Sequence, residues 1–283
     1  MRFIDLKKLY VPTEWAPEAK ALLANLRKMS PSERSDAWKD EDYQLWPMMK
    51  QLLAGLSHQK CWYSEEFVSG AKGDVDHFRP KGKLAGVKAD HSGYWWVALE
   101  CSNLRFSCQT SNRLYKDTLT GEVMGKGAFF PLLDEGSRVC AEKSPLDSED
   151  YLLLDPTRKG DPDLLWFEES GRAVPQKTEQ KDKKGYLRAK ESINRYHLND
   201  KELLFRRGRI CEEVKKRCEK IQRLELKPKK VDLAARRRVL ELKLEIADLI
   251  QPYSPFSAAA IATLKGYQSS PAVKELLASI KNS

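Results

Sequence analysis

Residues 72–82 read KGDVDHFRPKG, which sets His77 directly behind Asp76, with Asp74 two positions further back and Arg79-Pro80-Lys81 following. In a strand, Asp74 and Asp76 share a face. A turn acid beside a capped histidine is the plain alternative for Asp76-His77 taken alone. The next polar stretch, CSNLRFSCQTSNRLYKD from residue 101, decides between them. It brings Asn103 and, nine residues on, Asn112, followed by Arg113 and Lys116. A carboxylate and an amide carbonyl are hard oxygen donors suited to Mg²⁺ (or Mn²⁺), whose remaining positions take water and a substrate phosphate. A neutral imidazole near such an ion can accept a proton from water, because its pKa lies near working pH. Acid, histidine, two asparagines and basic residues in this order have the parts that phosphodiester hydrolysis requires.

Working outward, the texture of the chain changes three times. Residues 1–57 read as a helical segment, with Ala19, Leu22, Leu23 and Leu26, then Leu45, Met48, Met49, Leu52, Leu53 and Leu56, at helical spacing around the punctuation MSPSERSD. Residues 58–135 alternate short aromatic or β-branched pieces with Gly, Asn and Ser turns, which predicts hairpins and one short helix. Residues 136–185 are an elaboration of that middle region, in which LLWFEESGRAVP reads as strand, turn, strand. Residues 186–283 read as helices, with one stripe of Leu203, Ile210, Val214, Cys218 and Ile221 and another of Val239, Leu242, Ile246 and Leu249. Pro228 separates them, and Ser254-Pro255 has the pattern of an N-cap and first residue of a last helix. The fold class expected is α+β.

The 283 residues are 41% hydrophobic, enough for a real core. No run is apolar enough to span a bilayer and the start lacks a signal core, so direct membrane insertion is not expected and a cytoplasmic location is. Six scattered cysteines are then expected as thiols or metal ligands. The net charge of +9 is local: residues 201–240 hold 15 Lys or Arg against 6 Asp or Glu, and the remainder balances. Such a stripe attracts polyanions, which makes nucleic acid the natural partner, although a solvated helix face carries the same pattern.

DVDHFRP followed by NLRFSCQTSN resembles the HNH, or ββα-metal, nucleases over roughly residues 58–135. The resemblance implies a ββα-metal core between the two helical regions, with Asp76 as first metal ligand, His77 as general base, Asn103 as the loop residue that orients the base, and Asn112 as second ligand on the short helix. The family's last position, often His, has no clear counterpart; Arg79, Lys81, Arg113 and Lys116 stand as phosphate or nucleic-acid contacts, and Arg79 and Lys81 also shape and charge the loop after the base. KCWYSE, DHFRPKG, GYWWVALE, NLRFSCQTSN, FFPLLDE, LLLDPT and SINRYHLN, in that order, look like the HNH endonucleases of bacterial anti-phage systems. These include nucleases paired with an ATPase in Septu and some retron systems, and the HNH component of type II Zorya. That resemblance implies a metal-dependent endonuclease, DNA nicking or cleavage first, with a defence partner such as an ATPase, a retron complex or a membrane motor complex. The alternatives are a degenerate HNH subunit that binds or assembles without cutting, an HNH ribonuclease acting on tRNA, and a metal hydrolase of another substrate class, which the basic helices disfavour.

The family's scaffold carries two Cys-x-x-Cys knuckles around a structural zinc. Here they read Cys61-Trp-Tyr-Ser64 and Cys108-Gln-Thr-Ser111. A serine hydroxyl stays protonated near neutral pH and is a poor zinc ligand, so no structural zinc is expected unless His58 or His91 replaces the lost donors. His91 and His197 read as structural, Glu65 and Glu66 as surface acids, and Tyr94, Trp95 and Trp96 as core.

Overall fold

The computed structural model describes residues 1–69, 72–87, 91–116, 121, 123–226 and 233–281. Three helices lead in: α1 (Trp15–Leu26), α2 (Pro31–Ala37) and α3 (Lys50–Leu56). Ser30 starts α2 with a capping box, its hydroxyl accepting from the Glu33 N–H while the Glu33 carboxylate accepts from the Ser30 N–H, and Pro31 occupies the first turn. Trp15, Leu26, Met49 and Leu53 face inward.

The centre is a hairpin followed by a helical turn. β1 (Gly73–His77) pairs antiparallel with β2 (Leu104–Cys108), with Asp76 opposite Arg105 and His77 opposite Leu104. α4 (Gln109–Asn112) leaves β2 directly. A second small pair, β3 (Tyr115–Lys116) with β4 (Val123–Met124), extends beyond it. The strand-turn-strand expected at LLWFEESGRAVP is present as β5 (Leu165–Phe167) and β6 (Ala173–Pro175). Buried charge ties the 136–185 segment to the hairpin. Arg105 in β2 makes a two-pronged pair with Asp155 (2.9 and 2.7 Å), and Arg79 pairs with Glu149 at 2.9 Å.

Among the described residues five helices follow: α5 (Lys183–Arg195), α6 (Lys201–Glu225), α7 (Leu233–Leu249), α8 (Ser257–Lys265) and α9 (Pro271–Lys281). Val214, Cys218 and Ile221 of the α6 stripe meet Leu242 and Ile246 of α7 and Val273 and Leu276 of α9 in an apolar cluster distinct from the one under the hairpin, to which Leu203 belongs. Pro228 lies outside the described residues. Ser254-Pro255 does not open the last helix. Phe256 takes a left-handed conformation (φ 56°), α8 begins at Ser257, and α9 follows it. The Ser254 hydroxyl instead donates to the Asp248 carbonyl, closing α7. The cap of α8 comes from Glu65, whose carboxylate accepts from the Ser257 hydroxyl (3.0 Å) and the Ala258 N–H (3.1 Å). Glu65 is therefore buried, not a surface acid, and it also pairs with the Met1 amino group at 2.6 Å. Among the described residues no helix is long and apolar enough to cross a membrane.

The basic stretch divides as well. Arg207 is inside, 1% exposed, over the Phe167 ring and bonded to the Leu198 carbonyl; burial lowers its pKa to about 10. Arg206, Lys216, Arg217 and Arg223 each meet an acid four residues earlier on α6, a solvated-face pattern.

Candidate active site

β1 delivers Asp76 and His77 to the interior, 3% and 6% exposed. The His77 ring stands edge-on against Trp46 of the N-terminal segment, centroids 4.8 Å apart, and its Nε2 lies 3.0 Å from the Ala98 carbonyl oxygen. A carbonyl can only accept, so Nε2 carries the proton and a neutral ring keeps its lone pair on Nδ1. Burial pushes the His77 pKa well below its ordinary value, and the Lys81 and Lys126 charges push it the same way. A base with a fixed tautomer, neutral at working pH, results.

Asn103 does not touch the imidazole. Its side chain clamps the residue after the base from both sides, accepting from the Arg79 N–H (2.8 Å) and donating to the Arg79 carbonyl (3.0 Å). The backbone adds a bond from the Phe78 N–H to the Asn103 carbonyl. Asn103 thus fixes where β1 ends, and the Ala98 carbonyl aims the ring. The Arg79 guanidinium points inward, onto Glu149 and the Leu146 carbonyl and over the Phe130 and Tyr151 rings, so its geometry is that of a brace. Lys81 is half-buried with its ammonium 4.5 Å from the Trp46 ring centroid. Trp46 therefore has His77 on one side and Lys81 on another.

The two residues expected to share a metal have different partners. The Asp76 carboxylate accepts from the Tyr63 hydroxyl on Oδ2 (2.5 Å) and from the Lys126 ammonium on Oδ1 (2.7 Å). Asn112 instead donates to Asp74, at 3.1 Å, and Arg113 forks onto the same Asp74 carboxylate (2.7 and 2.8 Å) from a largely exposed position. Lys116 is exposed on β3. Both carboxylates on the β1 face are thus already answered by cations. Among the described residues no group of three or more His, Cys, Asp or Glu is placed to hold a metal. In this arrangement the donors do not fit a hard divalent ion, which needs open carboxylate oxygens.

The residue that sequence reasoning missed is Lys126. It is fully buried, and besides Asp76 its ammonium reaches the His77 carbonyl at 2.6 Å. Its backbone is tied to α4, the Lys126 N–H to the Ser111 carbonyl and the Gly127 N–H to the Asn112 carbonyl. The local signal was Gly-Lys-Gly. Gly125 (φ 92°) and Gly127 (φ 49°) both take left-handed conformations, and a Cβ on Gly125 would fall 2.0 Å from the Arg113 carbonyl oxygen. Nothing in the sequence joined that turn to Asp76, fifty residues away.

The four positions compared with zinc knuckles, Cys61, Ser64, Cys108 and Ser111, do converge. Ser64 approaches Cys108 (3.8 Å) and its N–H points to the Cys61 sulfur (3.5 Å), while Cys108 donates to the Ser111 hydroxyl (3.3 Å), which donates on to the Tyr196 carbonyl. The hydroxyls and thiols satisfy one another. Burial raises both thiols, but donors from Cys108 and Ser64 bring Cys61 down, while the bond to Cys61 holds Cys108 well above the usual thiol range. Neither alternative zinc ligand joins them: His91 accepts from the Gly93 N–H and bonds the Val139 carbonyl, and His58 sits against the Tyr253 ring. Tyr63, two residues after Cys61, stacks on Tyr196 at 3.8 Å, and Tyr94 and Trp96 are core.

No family model matches the chain. Over 183 residues, 63% of its length, it is 28% identical to the Septu protein PtuB of Bacillus mycoides (strain KBAB4). The chain is similar to a Septu protein. The alignment spans about half of that relative, 54% of its length.

Proposed function

We propose that this chain is an HNH-type endonuclease serving a Septu-type anti-phage defence system, with His77 as the base that activates water. The observation that carries the reading is the Nε2 bond to Ala98, which leaves Nδ1 as the proton acceptor at the end of a ββα unit. The similarity to PtuB supports the defence setting and a partner within it. In the reaction, Nδ1 of His77 takes a proton from water, the water oxygen bonds to phosphorus, and the bond from phosphorus to the 3′ oxygen breaks, that oxygen taking its proton from solvent. Lys81, half-buried beside Trp46, supplies positive charge next to the attacked phosphate. One such site cuts one strand, so nicking of duplex DNA is the expected outcome for a single chain.

A second reading, a subunit that binds nucleic acid without cutting, has one observation in its favour: both Asp76 oxygens are engaged. Supercoiled plasmid, single-stranded DNA and tRNA incubated with Mg²⁺ or Mn²⁺ separate the two. Wild type should nick plasmid, and His77→Ala should lose roughly 10²–10⁴-fold in rate while keeping its melting temperature. Equal activity of both, or binding without cleavage of any substrate by wild type with its defence partner present, rejects the nuclease reading; cleavage confined to tRNA redirects it to RNA.

A further inference from the structure

Helix α7 is apolar on two faces. Val239, Leu242 and Ile246 turn towards α6 and α9 and belong to the apolar cluster there. On the opposite side Leu233, Leu240 and Leu244 stand 72%, 56% and 63% exposed. Steps of seven and then four residues bring these three within about 40° of one another around the helix. A second face built for water would carry polar residues, so leucines in line form a seam that lacks its other half.

The charges beside the seam say what that half is. With Leu233 and Leu240 at d and Leu244 at a of a heptad, Arg236 and Lys243 occupy g and Glu241 and Asp248 occupy e. One flank is basic and the other acidic. In a parallel pair of identical helices each g residue meets the e residue five positions on in the other copy, which sets Arg236 against the partner's Glu241 and Lys243 against the partner's Asp248. Twofold symmetry makes each of those pairs twice. An antiparallel pair would instead put base on base and acid on acid, which repel. The seam is thus complementary to itself in one orientation only. Within the chain Glu241 already meets Arg237 and Arg238, and Lys243 meets Glu275 of α9, but such solvated pairs are weak and can be shared. Arg237, at the a position between the leucines, leans out onto Glu241; one polar residue at a costs stability and fixes the register. A free helix of 17 residues would be marginal in water, whereas α7 is held by α6 and α9 and pairs without having to be ordered first.

We propose that the exposed face of α7 is a homodimer interface: two copies of this chain pair in parallel through Leu233, Leu240 and Leu244 about a twofold axis running along the helix. The pairing rests on α7 alone. Under the nuclease reading it brings two His77 sites into one particle, the number that cutting both strands of a duplex requires.

Sedimentation equilibrium of the full chain without nucleic acid tests this. The mass of wild type should rise from that of one chain towards that of two between about 1 and 300 µM, the range open to a small interface. Leu240→Glu with Leu244→Glu should weaken pairing at least about tenfold and leave the melting temperature unchanged, since both side chains are exposed. Arg236→Glu with Lys243→Glu makes both flanks acidic, and Glu241→Lys with Asp248→Lys makes both basic. Each of these proteins alone should stay a single chain, and an equal mixture of the two should pair again, which also shows that both are folded. Wild type that remains a single chain at every concentration overturns the proposal, as does a dimer indifferent to the leucine variant. A dimer that survives either charge variant, or a mixture that fails to pair, overturns it as well.

Discussion

Around His77, buried charge is answered from distant parts of the chain: Asp76 by Lys126, Arg105 by Asp155, Arg79 by Glu149. In the helices α6, α7 and α9 the interior is instead apolar, with Val214, Ile221, Leu242, Ile246 and Val273 buried, and most charge stays outside beside an acid one turn away. One region is fixed by polar partners that must be present, the other by volume that must be filled. The hairpin should then respond sharply to removal of one charge and the helices to removal of methyl groups.

The largest stability effect is expected at the brace under β2. Asp155→Asn leaves the Arg105 guanidinium, 2% exposed, without its carboxylate and should cost about 3–5 kcal/mol in denaturant unfolding. A loss below about 1 kcal/mol would remove the distinction between the regions. Ile246→Ala, which empties space between α6 and α7, should cost roughly 2–5 kcal/mol with site chemistry unchanged; a large fall in His77-dependent activity at constant fold would instead couple the two regions. Glu65 joins them, and its signature is acid sensitivity. The Met1 amino group, Lys60 and the Ala258 N–H outweigh burial and hold its pKa at about 2 against an ordinary 4.5. A depressed carboxylate stabilises the fold above the unfolded value, so this contribution should fade as pH falls from about 4.5 towards 2. Glu65→Gln should flatten the unfolding curve in that window. The smallest effect belongs to the exposed pair Arg206 and Glu202: Arg206→Ala should change stability by less than about 1 kcal/mol.

The same contrast governs what the sequence discloses. The stripes of α6 and α7 and the strands flanking EESGR are written in local periodicity, and the structure carries them at those positions. Short strands and one short helix in the middle region were legible from local alternation and turn residues, whereas the pairing of DVDH with LRFSC and the helix at QTSN followed from the family resemblance. What stayed hidden depends on contacts across the chain. Lys126 reaches Asp76 through a glycine turn, Glu65 caps a helix nearly two hundred residues away, and Trp46 covers His77 from the N-terminal segment. Arg207 counts as surface charge in any sum over the basic stretch, yet it is buried. The orienting partner of His77 was missed because a backbone carbonyl, Ala98, has no side-chain signature.

Whether the fold presents His77 as a neutral base with its proton on Nε2 is read directly by ¹⁵N spectra of the ring in the full chain at neutral pH. The expected result is a neutral imidazole with Nε2 protonated and Nδ1 bare. A cationic ring, or a neutral ring protonated on Nδ1, would contradict it.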